Sequence, residues 1–144
     1  EPTTALDVTV QAQILNILNS LQKGRKLSIL FISHDFGVIS QLCDRVIVMY
    51  AGSIVEEGPV KNIMQQAAHP YTSELIKCVP QLGNMEHALH SIPGNPPSLN
   101  QLPEGCAFAN RCQYKQDQCL KGSVPVSSKD NRSYKCFYPV GGAA

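Results

Sequence analysis

The stretch Glu1-Pro2-Thr3-Thr4-Ala5-Leu6-Asp7, read together with Ser33-His34-Asp35, decides how the first part of the chain is understood. Asp7 can cap a helix, because its carboxylate can accept from the exposed N–H groups of a first turn. Val10, Ile14, Ile17, Leu18 and Leu21 then fall on one face at helical spacing. Gly24 suits a left-handed stop, and Lys23, Arg25 and Lys26 suit the negative end of the helix dipole. Residues 27–32 form an apolar run of strand length. A run apolar on both faces predicts a parallel strand covered by helices. Ser33-His34-Asp35 closes that run, and 36–42 reads as a short helix with Val38, Ile39 and Leu42 on its buried side.

Farther along, 45–50 predicts a second buried strand, Ala51-Gly52-Ser53 a turn, and 54–56 a returning strand, so a hairpin is expected. Pro59 fits the first turn of a helix that includes Val60, Ile63 and Met64. After His69-Pro70-Tyr71 a short helix is expected over 72–79. Ile92-Pro93-Gly94-Asn95-Pro96-Pro97-Ser98 then disfavours both helix and central strand, because proline removes a donor and restricts its predecessor. The expected division is 1–68, an α/β core; 69–90, a linking helix and connector; and 91–144, a cysteine-rich extension.

The pattern E-P-T-x-x-L-D, then a helix, then an apolar run ending in S-H-D, resembles the ATP-binding subunits of ATP-binding-cassette (ABC) transporters. The His-Pro-Tyr-Thr segment and the cysteine tail resemble the dipeptide, oligopeptide and nickel permease group within that family. The resemblance implies a partial P-loop NTPase core of α/β class lacking its N-terminal half, followed by a small irregular cysteine-rich extension. No G-x-x-x-x-G-K-[ST] phosphate loop and no LSGGQ-like signature occurs in the 144 residues, so this sequence alone is not expected to hydrolyse ATP.

The resemblance also implies roles. Glu1 matches the acid after the Walker B strand that polarises the attacking water. His34 matches the switch histidine at the γ-phosphate. Thr4, Ala5, Leu6 and Asp7 match the D-loop that touches a second ATP-binding subunit, itself a copy or a paralogue. Thr3 and Thr4 are expected to shape the turn. The cofactors implied are ATP and Mg2+. The partners implied are membrane permease subunits and, indirectly, an extracytoplasmic solute-binding protein, at the cytoplasmic face of the membrane. Ser33-His34-Asp35 is no hydrolase triad, since a triad converges in space and three adjacent residues do not.

Six cysteines divide unevenly. Cys43 and Cys78 sit in helical patterns and read as small buried hydrophobes. Cys106, Cys112, Cys119 and Cys136 are separated by five, six and sixteen residues. Four thiols in a loop-like segment can form two disulfides, a four-sulfur zinc site, a [4Fe–4S] site, or nothing. The absence of a C-x-x-C knuckle weakens zinc. The run G-C-x-F-x-x-R-C, a third Cys, then C-x-x-P resembles the permease ATPase extension, which implies [4Fe–4S]. If a cluster is held, Arg111 is a candidate to neutralise thiolate charge.

A formal net charge of +1 gives no electrostatic case for nucleic acid. The longest apolar run is far short of the roughly 20 residues a spanning helix needs, so membrane association is expected through a partner. A rival from another class is a metal- or iron–sulfur-binding interaction module that docks on a permease or partner ATPase. A DNA-repair or translation ATPase of the same superfamily is disfavoured by the His-Pro-Tyr segment and the cysteine tail.

Overall fold

The computed structural model describes residues 7–79 and 90–141. It divides into two compact units, Glu1–Cys43 and Asp44–Ala144.

The first unit contains two helices. Helix α1 spans Val8–Arg25 and starts where Asp7 Oδ1 accepts from the Val10 N–H at 2.9 Å. It stops at Lys26, which adopts the left-handed conformation (φ 52°) and donates its N–H to the Gln22 carbonyl. The stop expected at Gly24 therefore falls two residues later, on a lysine. Gly24 is simply a helical residue with nothing within 4 Å of a would-be Cβ. Helix α2, Phe36–Leu42, follows an Asp35 cap whose carboxylate accepts from Gly37 (2.7 Å) and Val38 (3.3 Å).

The expected parallel strand over 27–32 is not present. These residues take no regular structure, and Leu30 and Ile32 are 87% and 68% exposed. A strand satisfies its N–H and C=O groups only through a neighbour, and among the described residues none pairs with this run. The predicted buried face of α1 is also uncovered at Ile17, 58% exposed; within α1 only Leu15 is buried.

The second unit is built on a four-stranded antiparallel sheet of order β1-β2-β4-β3. Strand β1 is Arg45–Tyr50 and β2 is Ser53–Pro59. They form the expected hairpin around Ala51 (φ 47°) and Gly52 (φ 79°), with a bulge at Val48/Met49. Strand β1 is not buried on both faces: Val46, Val48 and Tyr50 face inward, while Arg45, Ile47 and Met49 face outward. Helix α3 (Val60–Gln66) follows Pro59, and α4 spans Pro70–Lys77.

Two short 3-10 turns, Ala109–Arg111 and Asp117–Leu120, carry the cysteine segment. Strands β3 (Val126–Lys129) and β4 (Arg132–Lys135) close a second hairpin on Asp130 and Asn131, both at positive φ. Strand β4 pairs with β2 through Glu56↔Tyr134 and Glu57↔Ser133. One sheet thus draws strands from both 1–68 and 91–144. Its aromatic core joins Tyr50, Tyr71 and Phe108, with centroids 4.6 to 5.3 Å apart.

Candidate functional site

In the first unit, Glu1, Thr3, Thr4, Ala5 and Leu6 lie outside the described residues, so only Asp7 and His34 can be located. Asp7 is the α1 cap. Ser33 Oγ accepts from the Asp35 N–H at 3.0 Å, and Asp35 caps α2. Ser33 and Asp35 are therefore committed to starting a helix, and their placement has no triad geometry. His34 stands exposed between them.

In the second unit, Cys106, Cys112, Cys119 and Cys136 line one cavity together with His69 and Phe108. Open solvent excluded, its volume is small, about 20 Å³. Two local devices bring the thiols there. The Cys106 N–H donates to the Cys119 carbonyl at 2.8 Å. Gly105 allows that approach, since a Cβ at this position would lie 2.3 Å from the same carbonyl oxygen. Cys136 follows directly on β4, which is registered against β2. Burial pushes the thiols of Cys106 and Cys112 up from their ordinary value, and that of Cys136 up to about 12, with the neighbouring thiols adding to the effect. They are neutral S–H groups unless a cation enters.

Among the described residues no disulfide joins any cysteine, and no three of His, Cys, Asp and Glu are close enough to hold a metal ion. Among the described residues, then, the thiol placement supports none of the disulfide, zinc and [4Fe–4S] alternatives. Arg111 is engaged elsewhere. Its Nε and Nη2 donate to the carbonyls of Pro93 (2.9 Å) and Ile92 (2.8 Å), and Nη1 to the Tyr50 hydroxyl (3.3 Å). It pins the proline-rich connector to β1 and lies 5.9 Å from the Phe108 ring centroid; no hydrogen bond carries it to a thiol.

Behind the cavity is a buried polar junction that the sequence reading did not single out. Glu56, 0% exposed, accepts from the N–H groups of Ala68 (2.7 Å) and His69 (2.9 Å). Arg132 Nη1 lies 3.9 Å from the same carboxylate and donates to the Gln66 carbonyl. A buried carboxylate at an inward position of a strand, facing an arginine on the next strand, is invisible to hydrophobic periodicity. His69, 1% exposed, caps α4: Nδ1 accepts from the Tyr71 N–H at 3.1 Å. Burial lowers its pKa to about 4. The order His69-Pro70, a polar residue directly before a proline at the helix start, was the available sign of this cap.

An α/β unit in which an antiparallel sheet carries a four-cysteine loop behind a histidine-capped helix is the class defined by this geometry. Residues 55–119 match the family model described as "Oligopeptide/dipeptide transporter, C-terminal region". Among curated relatives, the chain is 44% identical over 140 residues to the oligopeptide transport ATP-binding protein OppD of Salmonella typhimurium, covering 97% of this chain and 42% of that protein. It is 50% identical over 119 residues to the oligopeptide transport ATP-binding protein OppD of Haemophilus influenzae, covering 83% of this chain and 37% of that protein. Over nearly its whole length the chain is thus similar to proteins named as peptide transport ATP-binding proteins. It spans about two fifths of the length of the relatives it matches.

Proposed function

We propose that the chain is the C-terminal part of the ATP-hydrolysing subunit of an ABC importer for di- or oligopeptides. One observation carries this reading: similarity to oligopeptide transport ATP-binding proteins runs through nearly the whole chain, not only through the cysteine segment. In a subunit completed by a phosphate loop, ATP with Mg2+ is the substrate. A water oxygen forms a bond to the γ-phosphorus as the bond to the ADP oxygen breaks. Glu1 takes the water's proton, and His34 orients the phosphate and water. Thr4, Ala5, Leu6 and Asp7 meet a second ATP-binding subunit, and the pair drives permease subunits from the cytoplasmic face of the membrane. Among the described residues no helix is long and apolar enough to cross a membrane. The segment 1–68 belongs to the nucleotide-binding domain, 69–90 links, and 91–144 is the extension. The 144-residue chain alone, without a phosphate loop, does not hydrolyse ATP.

A second element of the proposal concerns the cavity. Four soft sulfur donors on one apolar cavity suit iron–sulfur chemistry. A zinc ion held by the same four sulfurs is the alternative occupant. Cys106, Cys112, Cys119 and Cys136 would hold such a cluster. Its chemistry there would be that of a cross-link that orders the loop. In the alternative reading the cluster-bearing unit serves as a docking module for the permease or partner ATPase.

The test is Glu1→Gln in a subunit of the relatives' length. ATP binding should persist while turnover falls to background. Near-normal hydrolysis would remove Glu1 as the base.

A further inference from the structure

Residues 92–98 cross the second unit without regular structure, and Gly94, Asn95, Pro96 and Ser98 are exposed. Their prolines remove backbone donors, so no strand ladder can hold this stretch. Among the described residues, the carbonyls of Ile92 and Pro93 are held by one side chain, that of Arg111. Beyond them the Ser98 carbonyl accepts locally from the Gln101 N–H at 3.0 Å. A planar guanidinium suits this task, because its donors sit in a fixed fork that can meet two successive carbonyls while a third N–H points elsewhere. Here that third N–H reaches the hydroxyl of Tyr50. Gly94 turns the chain immediately after the two carbonyls, at φ 76°, a conformation costly to residues with a Cβ. A Cβ there would stand 3.5 Å from Arg111 Cγ, so space is available and the backbone conformation carries the cost. The residue after Arg111 is Cys112, which lines the cysteine cavity.

We propose that Arg111 is the latch of a strap. Closed, it holds 92–98 against Tyr50 of β1 and seats Cys112 at the cavity; released, it frees the connector and Cys112 together. The inference rests on the contacts of the second unit and on neither the nucleotide nor the cluster reading. The two sides of the latch differ in burial. Tyr50 is 5% exposed and anchored in the sheet, whereas the connector lies on the outside. Opening therefore breaks the hydrogen bonds of one half-buried side chain and leaves the ladder of β1 and β2 intact.

Trypsin reads this directly, since it must take side chain 111 out of the latch to cut before Cys112. Where opening is fast, the rate follows the open population. The experiment uses a subunit of the relatives' length that carries this chain. Each rate is normalised to the same bond in a free peptide of residues 107–116, and fragments are identified by mass. Cleavage after Arg45 and Lys61, on β1 and α3, reports the sheet itself. Tyr50→Phe removes one hydrogen bond and should speed the cut at 111 about fivefold. Gly94→Ala should speed it about tenfold by displacing the Pro93 carbonyl. Arg111→Lys keeps the charge and the cleavage site but loses the fork, and should speed it about thirtyfold. The cuts after Arg45 and Lys61 should stay at the wild-type rate in all three. Unchanged cleavage at 111 in Arg111→Lys would overturn the inference. So would acceleration in Arg111→Lys alone, because neither Tyr50 nor the connector would then be the seat of the latch. Equal acceleration at Arg45 and Lys61 would overturn it too, since Arg111 would then support the whole sheet.

Discussion

The residues before and after Cys43 cover their apolar side chains to very different degrees. In 7–43, the helices are well capped, yet Ile17, Leu27, Leu30 and Ile32 remain exposed and 27–32 takes no regular structure. In the second unit, alternating residues of β1 are buried, two hairpins share one sheet, and a charged junction ties that sheet to α4. The difference shows what each kind of element requires. An α-helix closes its hydrogen bonds within itself, so a cap and a run of helix formers suffice to define it. A strand cannot do so, and its apolar sequence becomes structure only where a neighbour is supplied.

The largest expected effect lies in the second unit. Glu56→Ala leaves Arg132 and two buried N–H groups without their carboxylate, and should cost about 3–5 kcal/mol, read as a drop in the urea midpoint. An unchanged midpoint would mean that the junction does not hold this unit together. Next comes acid. The folded-state pKa of His69 is depressed from 6.5 to about 4 by burial, so its contribution is full above 6.5 and is lost as pH falls towards 4. The loss amounts to about 3 kcal/mol. Urea titrations across that window should show it in wild type and not in His69→Asn.

In the first unit the effects should be smaller. Asp35→Ala removes the acceptor for Gly37 and Val38 and should cost about 1 kcal/mol, seen as reduced helicity by circular dichroism. Leu30→Ser, at a side chain already in water, should shift the stability of this chain by no more than about 0.5 kcal/mol. A large loss at Leu30 would erase the contrast between the two units.

What the sequence made legible follows the same division. The Asp7 cap, the α2 limits and the Ala51-Gly52 hairpin rest on contacts between near neighbours in the chain, and the structure has them all. Residues 27–32 were misjudged because apolar composition reports a preference for burial and not the presence of a partner. The β3–β4 hairpin was missed because its flanks, Ser127, Ser128, Arg132 and Ser133, are polar, which hid the turn-forming pair Asp130-Asn131. The four cysteines were legible as a group. The histidine beside them was not, because the approach of α4 to the loop depends on β2–β4 pairing across more than 70 residues of chain. Gly24 misled because a glycine near a helix end is only one of several residues able to stop it; Lys26 does so here.

The central proposal is that 27–32, irregular in this chain, pairs as a strand only where a longer subunit supplies a neighbour, with His34 at its end as part of a nucleotide site. Amide hydrogen exchange tests this most directly, comparing 27–32 in the 144-residue chain with the same residues in a subunit of the relatives' length saturated with Mg-ATP. Fast exchange in the former and strong protection in the latter is the predicted result. Fast exchange in both would contradict it.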